Sequence, residues 1–211
     1  MINMTKAIIL DFWGTLVEQG VRSPVKQIRY ILHIRVPFSE YITRMERAMM
    51  TKEFSTLEEA FKSVCQEFKI QVNERRIEEL IGMWNKNWML AQPYEETKEV
   101  LQSLKEKYQL VLVANSDNKS IKNVLEKFDL TEYFNKIFYS YELGMIKTNP
   151  EFLKKVLSDL HLQPEECIFI GDSMQSDITP AKTAGIPAIL VDRRDSRDFS
   201  PKVTNLKELE L

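Results

Sequence analysis

Cysteine, histidine and glycine are all scarce in this chain: its 211 residues include two cysteines, two histidines and six glycines. Cys65 and Cys167 are too few and too far apart for a disulfide framework or a zinc site, and read as buried apolar filler. An excess of one charge is missing too. With 29 basic and 31 acidic side chains the net charge is −2, which gives no field to draw the chain to nucleic acid or an anionic membrane. No apolar run approaches the roughly 18 residues of a membrane span. Ala7-Ile8-Ile9-Leu10 and Leu110-Val111-Leu112-Val113 are of strand length. The first residues carry no basic segment leading into an apolar stretch, so a cytoplasmic location is expected. What is present, 44% hydrophobic and 28% charged residues, is the composition of an ordinary globular protein, and the length suits one medium α/β domain or a domain carrying an insertion.

The kind of periodicity changes along the chain and divides it. Residues 7 to 11 form a buried strand that runs into the loop Asp11-Phe12-Trp13-Gly14-Thr15. From about 22 to 91 every strong signal is helical. Pro24 to Ile34 predicts one helix, the stripe Tyr41, Ile42, Met45, Ala48, Met49 a second, and Leu57, Phe61, Val64, Cys65, Phe68 a third behind a capping box at Ser55 and Glu58. Asn73 caps a fourth, with Ile77, Leu80, Ile81, Trp84 and Trp88 on one face. Trp84 and Trp88 are read as the core of this helical bundle. After Pro93 come the strands Leu110 to Ala114, Ile137 to Tyr139, Cys167 to Ile170 and Ala188 to Val191, separated by helices. Five strands in alternation with helices predict a parallel, Rossmann-like sheet covered on both faces, with ligands bound beyond the carboxyl ends of its strands.

Asp11 follows the first strand, Asn115-Ser116-Asp117 the second, Gly171-Asp172-Ser173 the fourth and Asp192 the fifth, with Lys147 shortly after the third. On that sheet Asp11, Lys147, Asp172 and Asp177 converge on one crevice. Carboxylates held together repel unless a cation joins them, and oxygen donors with few histidines suit magnesium rather than zinc. The set suits a phosphoryl group whose oxygens are shared among metal, lysine and backbone amides while a carboxylate attacks phosphorus. Asp192-Arg193-Arg194-Asp195 reads as a solvated charged loop.

These residues resemble the motifs of the haloacid dehalogenase-like hydrolase superfamily, most of whose members are magnesium-dependent phosphatases. Asp11-Phe12-Trp13-Gly14-Thr15 resembles the first motif, Lys147-Thr148-Asn149-Pro150 the lysine motif, and Ile170-Gly171-Asp172-Ser173 through Asp177 to Gly185-Ile186-Pro187 the acidic fourth motif. The resemblance implies a catalytic core of residues 1–15 and 92–211 and a helical cap domain of residues 16–91. It implies Asp11 as nucleophile and magnesium held by Asp11, Asp172 and the backbone carbonyl of Trp13. Asp177 would hold the metal shell or Lys147, and Lys147 would screen the phosphoryl group beside Asn115 and Ser116.

Two departures from the family pattern bear on chemistry. Trp13 stands where the family carries a second aspartate for proton transfer, and an indole cannot do that work. Ala114 takes the place of a phosphate-binding Ser or Thr, leaving the backbone amide of Asn115 and, if the loop shifts, Ser116. Trp13 is instead expected to wall the site. The expected function is a magnesium-dependent phosphatase acting on a small phosphorylated metabolite through Asp11. One alternative is a 2-haloacid dehalogenase, whose halide leaves without a proton, although no arginine of the cap stands out in sequence to receive carboxylate and halide; Arg44 and Arg47 read by default as exposed helix arginines. The other is a catalytically impaired relative that binds a phosphorylated ligand or a protein.

Overall fold

The structure, a computed structural model, describes residues 5–211. The chain runs β1 (Ala7–Leu10), β2 (Val17–Glu18), α1 (Pro24–Ile31), α2 (Phe38–Met50), α3 (Leu57–Glu67), α4 (Glu74–Leu90), β3 (Gln92–Pro93) and α5 (Thr97–Lys105). It continues with β4 (Gln109–Ala114), α6 (Ser120–Lys127), β5 (Lys136–Tyr139), α7 (Ser140–Leu143), α8 (Pro150–Leu160), β6 (Cys167–Gly171), α9 (Thr179–Thr183), β7 (Ala188–Val191) and β8 (Lys202–Val203).

Six strands form one parallel sheet in the order β5-β4-β1-β6-β7-β8. The sheet has one strand more than expected: β8 is two residues long, too short for any periodicity to announce it. β1 lies at the centre, and its alternating side chains serve two cores. Ile8 and Leu10 pack on one face with Leu112 and Ile170, while Ala7 and Ile9 pack on the other with Val111 and Phe169. All four β1 residues are buried. The β1–β6 border is where the chain, having built outward through β4 and β5, turns to build the other way. Such a reversal leaves a crevice above the strand ends.

Helices α1–α4 surround a third core built from Ile28, Tyr41, Met45, Met49, Phe61, Val64, Leu80 and Trp84. The ribbon β2–β3, antiparallel with Val17 opposite Pro93, holds together the two chain segments that enter and leave this unit. Asn73 caps α4 by accepting from Arg76 N, as expected. The α3 cap lies one residue later than expected: Thr56 accepts from Glu59 N, and Glu59 in turn accepts from Ser55 N. Either serine or threonine can serve, and the register of Leu57 and Phe61 against the core selects Thr56. Trp88 turns away from the helical core and packs against the sheet's core.

Phe61 is fully buried and meets Trp84 edge-on at a centroid distance of 6.0 Å. Phe61→Ala is expected to cost about 3–5 kcal/mol of unfolding free energy. Met89→Ala, at a side chain 55% exposed, is expected to stay within about 0.5 kcal/mol of the parent. Urea denaturation of both variants checks the contrast.

Candidate active site

Parallel register sets the centre of the site. Leu10 pairs with Ile170, and Asp11 N donates to Ile170 O at 2.9 Å, so the residues leaving β1 and β6 emerge side by side. Two glycines make room. Gly14 has φ +82°, and a Cβ there would stand 2.5 Å from Asp172 Oδ2. At Gly171 a Cβ would stand 2.6 Å from the Asp177 carboxyl carbon. A wide helical turn over Met174–Ile178, capped by Ser173 accepting from Ser176 N at 3.0 Å, folds Asp177 back over Gly171.

The buried Lys147 ammonium then joins two carboxylates, donating to Asp11 Oδ1 and to Asp177 Oδ1 at 2.5 Å each. Asp11 Oδ2 accepts from Thr15 Oγ1 at 3.0 Å, and Asp177 Oδ2 from Ser173 N at 2.9 Å. Burial by itself would lower the Lys147 pKa, but the charges of Asp11 and Asp177 outweigh it and hold the ammonium protonated. Burial, with Asp11 and Asp177 nearby, pushes Asp172 well above the usual carboxylate range. Burial and Asp11 push Asp177 up to about 6 against the pull of Lys147.

These groups floor a cavity of about 270 Å³ between the sheet's carboxyl end and the α1–α4 unit. Asp11, Lys147, Asp172 and Asp177 all line it, as do Asn115 and Ser116 after β4 and Trp13 as a wall. Asn115 acts through its side chain: Oδ1 accepts from Lys147 N at 2.9 Å, and Nδ2 donates to Glu46 Oε2 at 2.9 Å. Ser116 is buried, and its backbone N–H donates to Ser140 Oγ at 3.1 Å.

The loop after β7 departs from expectation in part: residues 194–198 are exposed, but the loop also braces the site. Asp192 is buried and accepts from Ser196 N and Arg197 N; Arg193 pairs with buried Glu96 and donates to Thr15 O at 2.8 Å; Arg197 donates to Asp172 O at 2.5 Å. Arg44 is spent on Glu40 and Glu67 and stacks on Phe68. Arg47 is exposed and lies outside the cavity lining. Glu46, between them, is the ionisable residue that the sequence reading missed. It follows Phe38 and Ile42 and precedes Met50 at four-residue intervals along α2, and all four line the cavity. That row could be read from helical spacing, but nothing in the sequence says which side of α2 faces the sheet.

Lys147→Met removes the one ammonium that Asp11 and Asp177 share, and is expected to cost about 3–5 kcal/mol at neutral pH without added metal. Carboxyls with a raised folded pKa hold protons that the unfolded chain releases, so stability falls as pH rises through that interval. The deficit of Lys147→Met against the parent is therefore expected to grow between about pH 4 and about pH 7 in chelator, measured by urea midpoints.

The profile of the haloacid dehalogenase-like hydrolase family matches residues 8–191. The pyrophosphatase PpaX of Halalkalibacterium halodurans is 29% identical over 127 residues, covering 57% of this chain and 59% of that protein. A phosphoglycolate phosphatase of Pasteurella multocida is 33% identical over 97 residues, 46% of this chain and 43% of its own length. The chain thus spans about half the length of these two relatives. Among solved structures, the Bacteroides thetaiotaomicron enzyme bt-2542, in complex with magnesium and inorganic phosphate, superposes with a TM-score of 0.62 at 22% identity, over 93% of this chain and 98% of that one. With a family profile spanning nearly the whole sheet and the helices inserted after β1, the chain belongs to the haloacid dehalogenase-like hydrolases.

Proposed function

We propose that this hydrolase is a magnesium-dependent phosphatase of small phosphorylated metabolites in which Asp11 is the nucleophile. The observation that carries this reading is the Lys147 ammonium held between Asp11 and Asp177 at the floor of the cavity. A lysine so placed holds the Asp11 carboxyl in position to attack, and faces the phosphoryl oxygens that would lie above it.

The donor set fits magnesium. Oxygens of Asp11, Asp172 and Asp177 lie within 4.8 Å of one another, all hard donors, and the Lys147 ammonium engages only Asp11 and Asp177 of the three. Asp11 and Asp172, with the Trp13 carbonyl, would hold the ion, and Asp177, engaged by Lys147 and Ser173 N, would orient the lysine. When bound, magnesium supplies charge neutralisation and polarisation of the phosphoryl oxygens.

The steps left to the chain are attack by the Asp11 carboxylate on phosphorus, loss of the alcohol, and hydrolysis of the acyl phosphate by water. Trp13 and the α1–α4 unit, acting as a cap, exclude bulk water while this happens. The cap also selects the substrate, and a cavity of about 270 Å³ suits a small ester. A haloacid dehalogenase fits less well: among the described residues no arginine lines the cavity to receive carboxylate and halide.

Purified protein is expected to hydrolyse p-nitrophenyl phosphate only with magnesium, and Asp11→Asn to abolish the reaction; turnover in EDTA would refute the assignment. Magnesium at about 100 times its dissociation constant should stabilise the parent by about 2.7 kcal/mol, and Asp172→Asn less, as read by thermal unfolding.

A further inference from the structure

The phosphatase reading leaves one task unassigned. An alkoxide leaving group needs a proton, and the residue two places after Asp11 is Trp13, whose indole cannot supply one. Within the cavity the ionisable groups of the core are already committed. Lys147 joins Asp11 to Asp177, Asp177 accepts from Ser173 N, and Asp117 accepts from Lys119 N, Ser120 N and Trp84 Nε1. Asp172 belongs to the proposed metal site.

Glu46 is the exception. It descends from α2 into the cavity opposite the strand ends, its Oε2 held by Asn115 Nδ2, and Asn115 Oδ1 in turn receives the backbone N–H of Lys147. Among the described residues its remaining oxygen has no hydrogen-bond partner. The wall around it is largely apolar, with Ile42, Met50, Trp84 and Trp13 lining the same space.

We propose that Glu46 is a catalytic residue of this phosphatase: it protonates the leaving oxygen and later deprotonates the attacking water. As Asp11 Oδ attacks, the P–O bond to the alcohol breaks and its electron pair takes the Glu46 proton. The alcohol departs and Glu46 is left as carboxylate. Water then attacks the phosphorus, giving a proton to Glu46, the acyl P–O bond breaks back to Asp11, and phosphate leaves with both carboxyl groups restored.

The surroundings suit this cycle. Burial pushes Glu46 up to about 7, against Lys147 and the Asn115 hydrogen bond, while Asp177 and Asp11 add to the rise. Asp172, Asp117 and Lys26 are the other charged groups lining the cavity. An acid poised near neutrality both gives and retakes a proton.

The proposal rests on the phosphatase reading, and the test separates the two. Single-turnover release of the leaving group is measured for p-nitrophenyl phosphate and for primary alkyl phosphates, with the parent and with Glu46→Gln, which preserves an oxygen for Asn115. The variant should slow alkyl release by about 10²–10⁴ and aryl release by less than about tenfold, because nitrophenolate leaves without a proton. Parent alkyl release should fall as pH rises past about 7 and Glu46 loses its proton, with that limb absent in the variant. Equal losses on both ester classes overturn the role of Glu46 while leaving the phosphatase reading intact, as does parent turnover confined to aryl esters. A parent without magnesium-dependent turnover of any ester overturns both. If Glu46→Gln does not fold, the parent's alkyl pH profile decides, and no fall near pH 7 refutes the role.

Discussion

An ammonium shared by two carboxylates in a buried crevice sets the terms for the rest of this molecule. Lys147 and Asp177 are 3% and 1% exposed, so neither charge is solvated and each depends on the other's position. Breaking such a set by removing one partner leaves a buried charge uncompensated, a far larger effect than losing a surface pair. The surrounding structure is arranged accordingly. Adjacent parallel strands bring Asp11 beside Gly171, the missing Cβ of Gly171 admits Asp177, and Asn115 fixes the backbone of Lys147. A second layer holds the first: Arg193 ties the Thr15 carbonyl to Glu96 on the opposite side of the loop, and Arg197 holds the Asp172 carbonyl. Burial alone would raise the Glu96 pKa, but the Arg193 guanidinium and backbone donors outweigh it and lower it instead.

Contacts between the helical unit and the sheet are of another kind. Trp84 Nε1 donates to Asp117 at 2.9 Å, Asn118 exchanges hydrogen bonds with the Phe54 backbone, Lys119 reaches Ser55 O at 2.8 Å, and Gln175 donates to Ser39 O at 3.1 Å. Each net hydrogen bond is worth about 1 kcal/mol, because water replaces it when it opens. The unit keeps its own apolar core and meets the sheet through these polar groups and through Trp88, which packs on the sheet's core. Glu46 belongs to this set of contacts and to the cavity at once.

Much of the arrangement was legible in the residues. Fully apolar runs ending in Asp11, Asn115 and Gly171-Asp172 marked parallel strands with polar groups at one end, and 3.6-residue stripes marked the helices whose buried faces include Met45, Phe61 and Leu80. What escaped was short or long-range. β8 has two residues and no pattern. The choice of Thr56 over Ser55 as cap turns on one residue of helical register. Arg193 looks like surface charge in sequence because its partners, Glu96 and the Thr15 carbonyl, lie about a hundred or more positions away, and Asp192 because its partners are backbone amides, of Ser196 and Arg197.

By itself the sequence determined which groups are available: three aspartates and a lysine near strand ends, glycines beside two of them, and a tryptophan two places after Asp11. These are local facts, since strand ends and tight turns are written in neighbouring residues. Only the tertiary structure decided how those groups pair and what faces them. Lys147 reaches Asp11 across 136 positions, and Asn115 reaches Glu46 across 69. The direction a helix presents to a sheet it does not adjoin in sequence depends on how two separate apolar cores settle against each other. That packing, rather than any motif, put a half-buried glutamate over the cavity that Trp13 also lines.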